Sequence, residues 1–225
     1  MRKLIDSAWA LIVGWLLLSF WLVTLAAGPV RRLSDTTWLF IIGWVLLIAL
    51  AAAVSKCLPH DYRTRLRPGF WSFMVVKAFS GVYFTLLVVA AIRSTWRFSL
   101  PAPLALVSAI LLIAAGTAIC LAAVYAYGGS VMRLSGLKTD RLVTEGIYRW
   151  SRNPQLVGST VILVGVGLIR QSGMVLVLTV FFWLAVRLYL PVEEELLERL
   201  YGDAYQHYRL STGRYFGRRK ANVAA

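Results

Sequence analysis

The feature that most constrains this chain is a series of long apolar runs without charge. Ser7–Val30 carries no charge over 24 positions, Thr36–Ser55 none over 20, and Phe98–Met132 none over 35. Gly69–Ile92 carries one, Lys77. A helix that crosses a bilayer needs about 20 mostly apolar residues, and in lipid the backbone polar groups must be satisfied within the segment, which selects helices. The longest run exceeds one span, so its helix is expected to end near Gly128-Gly129. Two shorter runs, Asn153–Ile169 and Gln171–Val186, are separated only by Arg170 and a Gln171-Ser172-Gly173 turn, and read as a tight helical hairpin. The expectation is an all-α, polytopic integral membrane protein with about six transmembrane helices. It divides into an N-terminal four-helix region, 1–127, and a functional core, 128–225, containing hairpin 153–190 and a C-terminal segment.

Composition agrees. The chain of 225 residues is 59% hydrophobic and 15% charged, against roughly 45–50% and about 25% for soluble domains. Disordered, collagen-like and disulfide-rich secreted classes are excluded. The formal net charge is +14, and its distribution identifies the partner. With the N-terminus inside, 18 Lys and Arg flank the spans on the cytoplasmic side and 5 on the other. This places both termini in the cytoplasm and assigns the bases to orientation and anionic headgroups rather than nucleic acid. Met1-Arg2-Lys3 looks like a signal-peptide n-region, but the apolar stretch behind it is too long for cleavage and reads as a retained anchor. With no targeting signal, the expected site is a prokaryotic inner membrane. Cys57 and Cys120 have no metal or redox spacing, His207 has no ligand partner at helical spacing, and no metal is expected.

Two clusters carry chemistry, both expected on the cytoplasmic face. The first, Leu142–Gly158, precedes the fifth span. Pro154 suits the first turn of a helix and Asn153 its cap. The N–H groups of that turn can bind an anion, and Arg152 adds a planar fork that matches a carboxylate. The plainer reading is a basic membrane entry with a helix cap. The second cluster, Pro191–Gly202, follows the sixth span. Its run Glu193-Glu194-Glu195 is unusual at a positive-inside exit. Glu194 and Glu198 share a helix face, while Leu196, Leu197 and Leu200 give an apolar one. An amphipathic interfacial helix starting after Pro191 explains the run on its own; the alternative is that one Glu turns back to bind a cation. The hairpin brings both clusters to one mouth, where anion-binding and carboxylate groups complement a zwitterion with extra positive charge. S-adenosylmethionine has that pattern.

The spacing Leu142-Val143-Thr144-x-Gly146-x-Tyr148-Arg149-x-x-Arg152-Asn153-Pro154-x-x-x-Gly158 resembles the signature of the isoprenylcysteine carboxyl methyltransferase and phospholipid methyltransferase superfamily. So does Pro191-x-Glu193-Glu194-x-x-Leu197, continuing through Tyr201-Gly202-x-x-Tyr205-x-x-Tyr208 to Arg214. The resemblance covers roughly 128–216. It implies a cytoplasm-facing S-adenosylmethionine pocket formed by the hairpin, the preceding loop and the amphipathic tail, with a lipophilic substrate entering from the bilayer. Carried over, Val143, Thr144, Gly146, Tyr148, Arg152, Asn153, Glu194, Tyr205, Tyr208 and Arg214 would bind the cofactor. Arg152, Glu193 and Glu194 would serve catalysis. This chain departs from the family in having Asn153 where His is common, Leu156 where an aromatic is usual, and Tyr189 where the carboxyl methylators have Arg.

The reaction implied is direct transfer of the sulfonium methyl to a carboxylate, thiol or amine of an amphipathic molecule, with the protein supplying position and charge complementarity. A carboxylate or thiolate acceptor needs no base, whereas an ammonium acceptor must first lose a proton, for which Glu193 or a tyrosine is the candidate. The rival readings are a small transporter using Lys77, a nicotinamide-dependent membrane reductase without a dinucleotide fingerprint, and a structural membrane subunit.

Overall fold

The computed structural model describes residues 33–65, 68–126 and 142–217, with side chains from residue 37 onward. Six α-helices are present among them: α1 Leu33–Arg65, α2 Phe70–Arg93, α3 Ala102–Ala126, α4 Pro154–Ile169, α5 Gly173–Tyr201 and α6 Asp203–Ser211. A 3-10 turn, Gly146–Arg149, lies between α3 and α4. Four helices, α1, α2, α3 and α5, are long and apolar enough to cross a membrane; α4, at 16 residues, is shorter. The expected first span, Ser7–Val30, lies outside the described residues, as do Arg133, Lys138, Arg141 and the Arg218-Arg219-Lys220 triplet.

The chain divides into two compact units. One unit contains α1 and α2, runs to Arg97 and takes in Ser172–Leu178; the other contains Phe98–Gln171 and the chain from Thr179 onward. In the first unit α1 packs on α2. The turn after α2 is closed by Ser94 in the left-handed region, φ 47°, with its N–H directed to the carbonyls at the end of the helix. The Ser172 hydroxyl lies 3.1 Å from the Ala90 carbonyl and 2.9 Å from that of Thr95, and the Gly173 N–H donates to Trp96 O at 3.0 Å. The turn after α4 is thus hydrogen-bonded into the α2 end, which brings Ser172–Leu178 into the first unit.

In the second unit α3 and α4 pack against each other through glycine. A Cβ at Gly116 would stand 2.6 Å from the Gly158 carbonyl oxygen, and one at Gly158 2.8 Å from that of Gly116. Helices in lipid gain little from apolar burial against one another, and close backbone approach compensates through van der Waals contact.

Two local expectations are corrected. No separate amphipathic helix starts after Pro191: α5 runs unbroken from Gly173 to Tyr201 with Pro191 inside it. Proline removes one hydrogen bond of the ladder, and here the turns on either side hold, with Leu190 and Glu194 both buried. The helix instead breaks at Gly202, whose φ of +52° and ψ of −130° suit glycine. The second correction concerns Asn153. It occupies the position before α4, with Pro154 in the first turn, but its side chain does not cap the helix.

Candidate functional site

The site is assembled within the second unit by the loop before α4, the end of α5, α6 and the segment after it. Its floor is apolar. Ala123, Tyr148, Tyr205 and Tyr208 form a buried cluster, against which Leu142, Val143, Ile147, Leu197 and Tyr201 pack. The Tyr208 hydroxyl donates to the Tyr148 carbonyl at 2.8 Å, which pins α6 to the 3-10 turn. The Tyr205 and Tyr208 rings meet edge to face at 6.3 Å. Gly146 opens the 3-10 turn with φ +60°, a conformation that side chains disfavour.

Above this floor stands a charged centre. Glu194 is 8% exposed and both of its carboxylate oxygens accept hydrogen bonds from arginine. Oε1 accepts from Arg152 Nη1 at 2.8 Å and from Arg214 Nε at 2.9 Å; Oε2 accepts from Arg214 Nη2 at 2.5 Å. The Arg214 contact is thus bidentate, the geometry in which guanidinium and carboxylate match best. Arg152 Nη1 also donates to the Tyr205 hydroxyl at 3.2 Å. Two guanidiniums against one carboxylate leave a formal +1 at the centre of the cluster.

The backbone fastens the same parts. Arg152 N–H donates to the Gly213 carbonyl at 3.0 Å, and the Asn153 side-chain amide donates to the Arg214 carbonyl at 3.0 Å. Asn153 therefore ties the tail to the loop instead of capping α4. Its own N–H donates to the Ser151 hydroxyl oxygen at 3.1 Å.

Two electrostatic consequences follow. Burial, and next the charge of Glu194, push the Tyr205 phenol above its ordinary range, so it remains a neutral hydroxyl at physiological pH. The hydrogen bond to Glu194 holds the Arg214 guanidinium still more firmly in its charged form. Arg152 keeps a buried donor beyond the Nη1 that serves Glu194 and Tyr205. Its side chain is 6% exposed, and its Nε–H is buried without a hydrogen-bond partner among the described residues. An unpaired donor on a buried cation is costly, and it marks a place where an external acceptor would be stabilised.

Of the residues singled out from sequence, Tyr148, Arg152, Asn153, Glu194, Tyr205, Tyr208 and Arg214 thus come together, with Val143 against the apolar floor and Gly146 shaping the turn. Thr144 is half-buried in the same loop. Glu193 is half-buried and forms no ion pair with the described residues, whereas Glu195 pairs along α5 with Arg199 at 2.7 Å. Glu198 binds Arg209 at 3.2 Å and Gln206 at 2.8 Å, fastening α5 to α6. The four carboxylates of this segment therefore serve different ends. Leu197 and Tyr201, which the motif contains without a role, pack against the apolar floor. Sequence reasoning missed Gly213, which acts through its carbonyl and leaves no side-chain signal.

Residues 104–204 match the family model described as phospholipid methyltransferase, a family within the isoprenylcysteine carboxyl methyltransferase-like membrane methyltransferase superfamily. The resemblance read from the motifs is borne out over that segment, which begins in α3 and ends one residue before Tyr205. No curated protein and no solved structure matches the chain significantly.

Proposed function

We propose, from the phospholipid methyltransferase match over 104–204, that this protein is a membrane methyltransferase that uses S-adenosylmethionine to methylate an amphipathic acceptor. The observation that carries the reading is the buried Nε–H of Arg152, without a hydrogen-bond partner among the described residues, beside the Glu194–Arg214 pair. The donor set fits an amino-acid ligand. The cluster bears a net positive charge, and the start of α4 has no side-chain cap; both favour a carboxylate there. Glu193 and the phenol of Tyr205 offer acceptor atoms for an ammonium.

Bound S-adenosylmethionine supplies a methyl group already activated for in-line displacement. The chain's residues then have distinct tasks. Arg152 holds the ligand carboxylate through Nε. Glu194, with both oxygens engaged by arginine, is a positioning residue that fixes the Arg152 fork and fastens the tail through Arg214. Tyr148, Tyr205 and Tyr208 exclude water from that side, where a drier setting strengthens each charged contact. Asn153 keeps the loop and the tail together, and Val143, Thr144 and Gly146 shape the loop wall. The acceptor is a lipophilic molecule that reaches the site from the bilayer. The cytoplasmic orientation and the inner-membrane location belong to the same reading, supported by the uneven distribution of Lys and Arg.

The test is transfer of radiolabelled methyl from S-adenosylmethionine into the organic phase of a bacterial lipid extract, by protein in mixed micelles. Label incorporated by the native chain and lost in Arg152→Ala is expected. No incorporation by natively folded protein, with lipid restored, would contradict the reading.

A further inference from the structure

The α1–α2 turn holds a second site that the methyltransferase reading does not use. Helix α1 runs 33 residues, about 50 Å at 1.5 Å per residue. Its uncharged part, Thr36–Ser55, accounts for about 30 Å, the thickness of the hydrocarbon core. The remainder, Lys56–Arg65, reaches headgroup depth and beyond. There a cavity of about 370 Å³ is lined by Lys56, His60, Asp61, Arg65, Trp71 and Ser72, among others.

Among the described residues that line it, the single acid is committed to the turn. Asp61 is buried, and its Oδ2 accepts from the Gly69 N–H at 2.7 Å and from the Ser72 hydroxyl at 2.5 Å. A Cβ at Gly69 would stand 2.8 Å from that oxygen and 3.2 Å from Arg65 Nη1, so the Arg65 guanidinium is folded against the turn. Lys56 and Arg65 outnumber Asp61 and leave the cavity cationic. Beside it Phe70 and Trp71 are 60% and 77% exposed, with rings edge to face at 5.5 Å. Exposed aromatics at the end of a membrane helix seat themselves among lipid glycerol and headgroups.

We propose that this cavity binds the phosphate of a phospholipid headgroup, with Lys56 and Arg65 as the cationic contacts and Phe70 and Trp71 against the glycerol region of the same lipid. The aromatic pair argues for a lipid over a free phosphate, which would draw nothing from it. The site stands on the hairpin alone and holds whether or not the protein transfers methyl groups.

Native mass spectrometry of the delipidated full-length protein in detergent tests it. The probes are phosphatidylglycerol, glycerophosphoglycerol and inorganic phosphate. The native chain should retain one phosphatidylglycerol, with retention weakened roughly fivefold for each charge removed in Lys56→Gln/Arg65→Gln. The charge-matched variant Arg93→Gln/Arg97→Gln, altered at the other end of α2, should retain the lipid as the native chain does. Equal loss in both variants, or no loss in either, would overturn the proposal. Displacement of the lipid by equimolar inorganic phosphate would overturn the lipid assignment in favour of a soluble anion. Should the first variant fail to fold, Trp71→Ser serves instead: weakened lipid retention supports the site, and unchanged retention contradicts it.

Discussion

The two units solve the same problem, a helical chain in lipid, with opposite use of polar groups. The unit of α1 and α2 spends its buried acid, Asp61, on its own turn, binding a backbone N–H and a serine hydroxyl only 8 and 11 positions away. The unit of α3, α4 and the C-terminal helices spends its buried acid on distance. Glu194 collects Arg152 from 42 positions before it and Arg214 from 20 positions after it. The first arrangement stabilises a connection; the second gathers three separate pieces of chain around a charge and leaves a donor over. The Asp61 carboxylate is thus saturated locally, and any ligand at that turn meets Lys56 and Arg65 instead, whereas the Glu194 network itself leaves a buried Arg152 donor without a partner among the described residues.

This contrast can be broken by substitution. The largest effect is expected for Glu194→Ala, which strands the buried Arg152 guanidinium and should cost about 3–5 kcal/mol, read from denaturant unfolding in mixed micelles. Cofactor binding should vanish with it. Asp61→Ala should cost about 1.5–3 kcal/mol, the range for hydrogen bonds to a charged group, while leaving the affinity for S-adenosylhomocysteine unchanged. Equal damage to cofactor binding from both variants would erase the distinction between the units.

Smaller effects sharpen it. Gly158→Ala places a methyl group 2.6 Å from Cys120 Sγ and 2.8 Å from the Gly116 carbonyl. The sulfur can turn aside but the backbone cannot, so overpacking should cost about 1–3 kcal/mol in the same unfolding measurement. Tyr208→Phe removes the bond to the Tyr148 carbonyl and should cost about 1 kcal/mol. Its signature is faster proteolysis of the 142–153 loop, since that bond pins α6 to the 3-10 turn.

The legibility of these features in the sequence follows the range of the interactions behind them. The four long apolar helices among the described residues, and the α4 boundaries to within a residue, were readable because hydrophobic runs and Pro154 act locally. The extension of α5 through Pro191 was not, because burial of Leu190 and Glu194 overrides the local breaking tendency of proline. The candidate site residues that the fold gathers were singled out through motif resemblance and by the complementarity of an arginine cluster and a glutamate cluster. Their partners were harder. Arg152 reads as a fork for a ligand carboxylate, yet one arm of it is occupied by Glu194, and only the three-dimensional arrangement separates the arm that is used from the Nε that is left. Asn153 reads as a cap because caps are a one-turn affair, but its amide serves a carbonyl 61 positions away. The tie between the α4–α5 turn and the end of α2 is not legible for a similar reason, since Ser172 bonds 77 and 82 positions back.

The central claim is that the surplus donor of Arg152 receives the carboxylate of the cofactor. Calorimetric titration of the detergent-purified protein with S-adenosylhomocysteine, and with its decarboxylated analogue, addresses this directly. The native chain should bind the analogue about 10- to 100-fold more weakly, the worth of a charge-assisted hydrogen bond, and Arg152→Lys, which lacks the Nε of the fork, should lose most of that discrimination. Equal affinity of the native chain for the two ligands would contradict the claim.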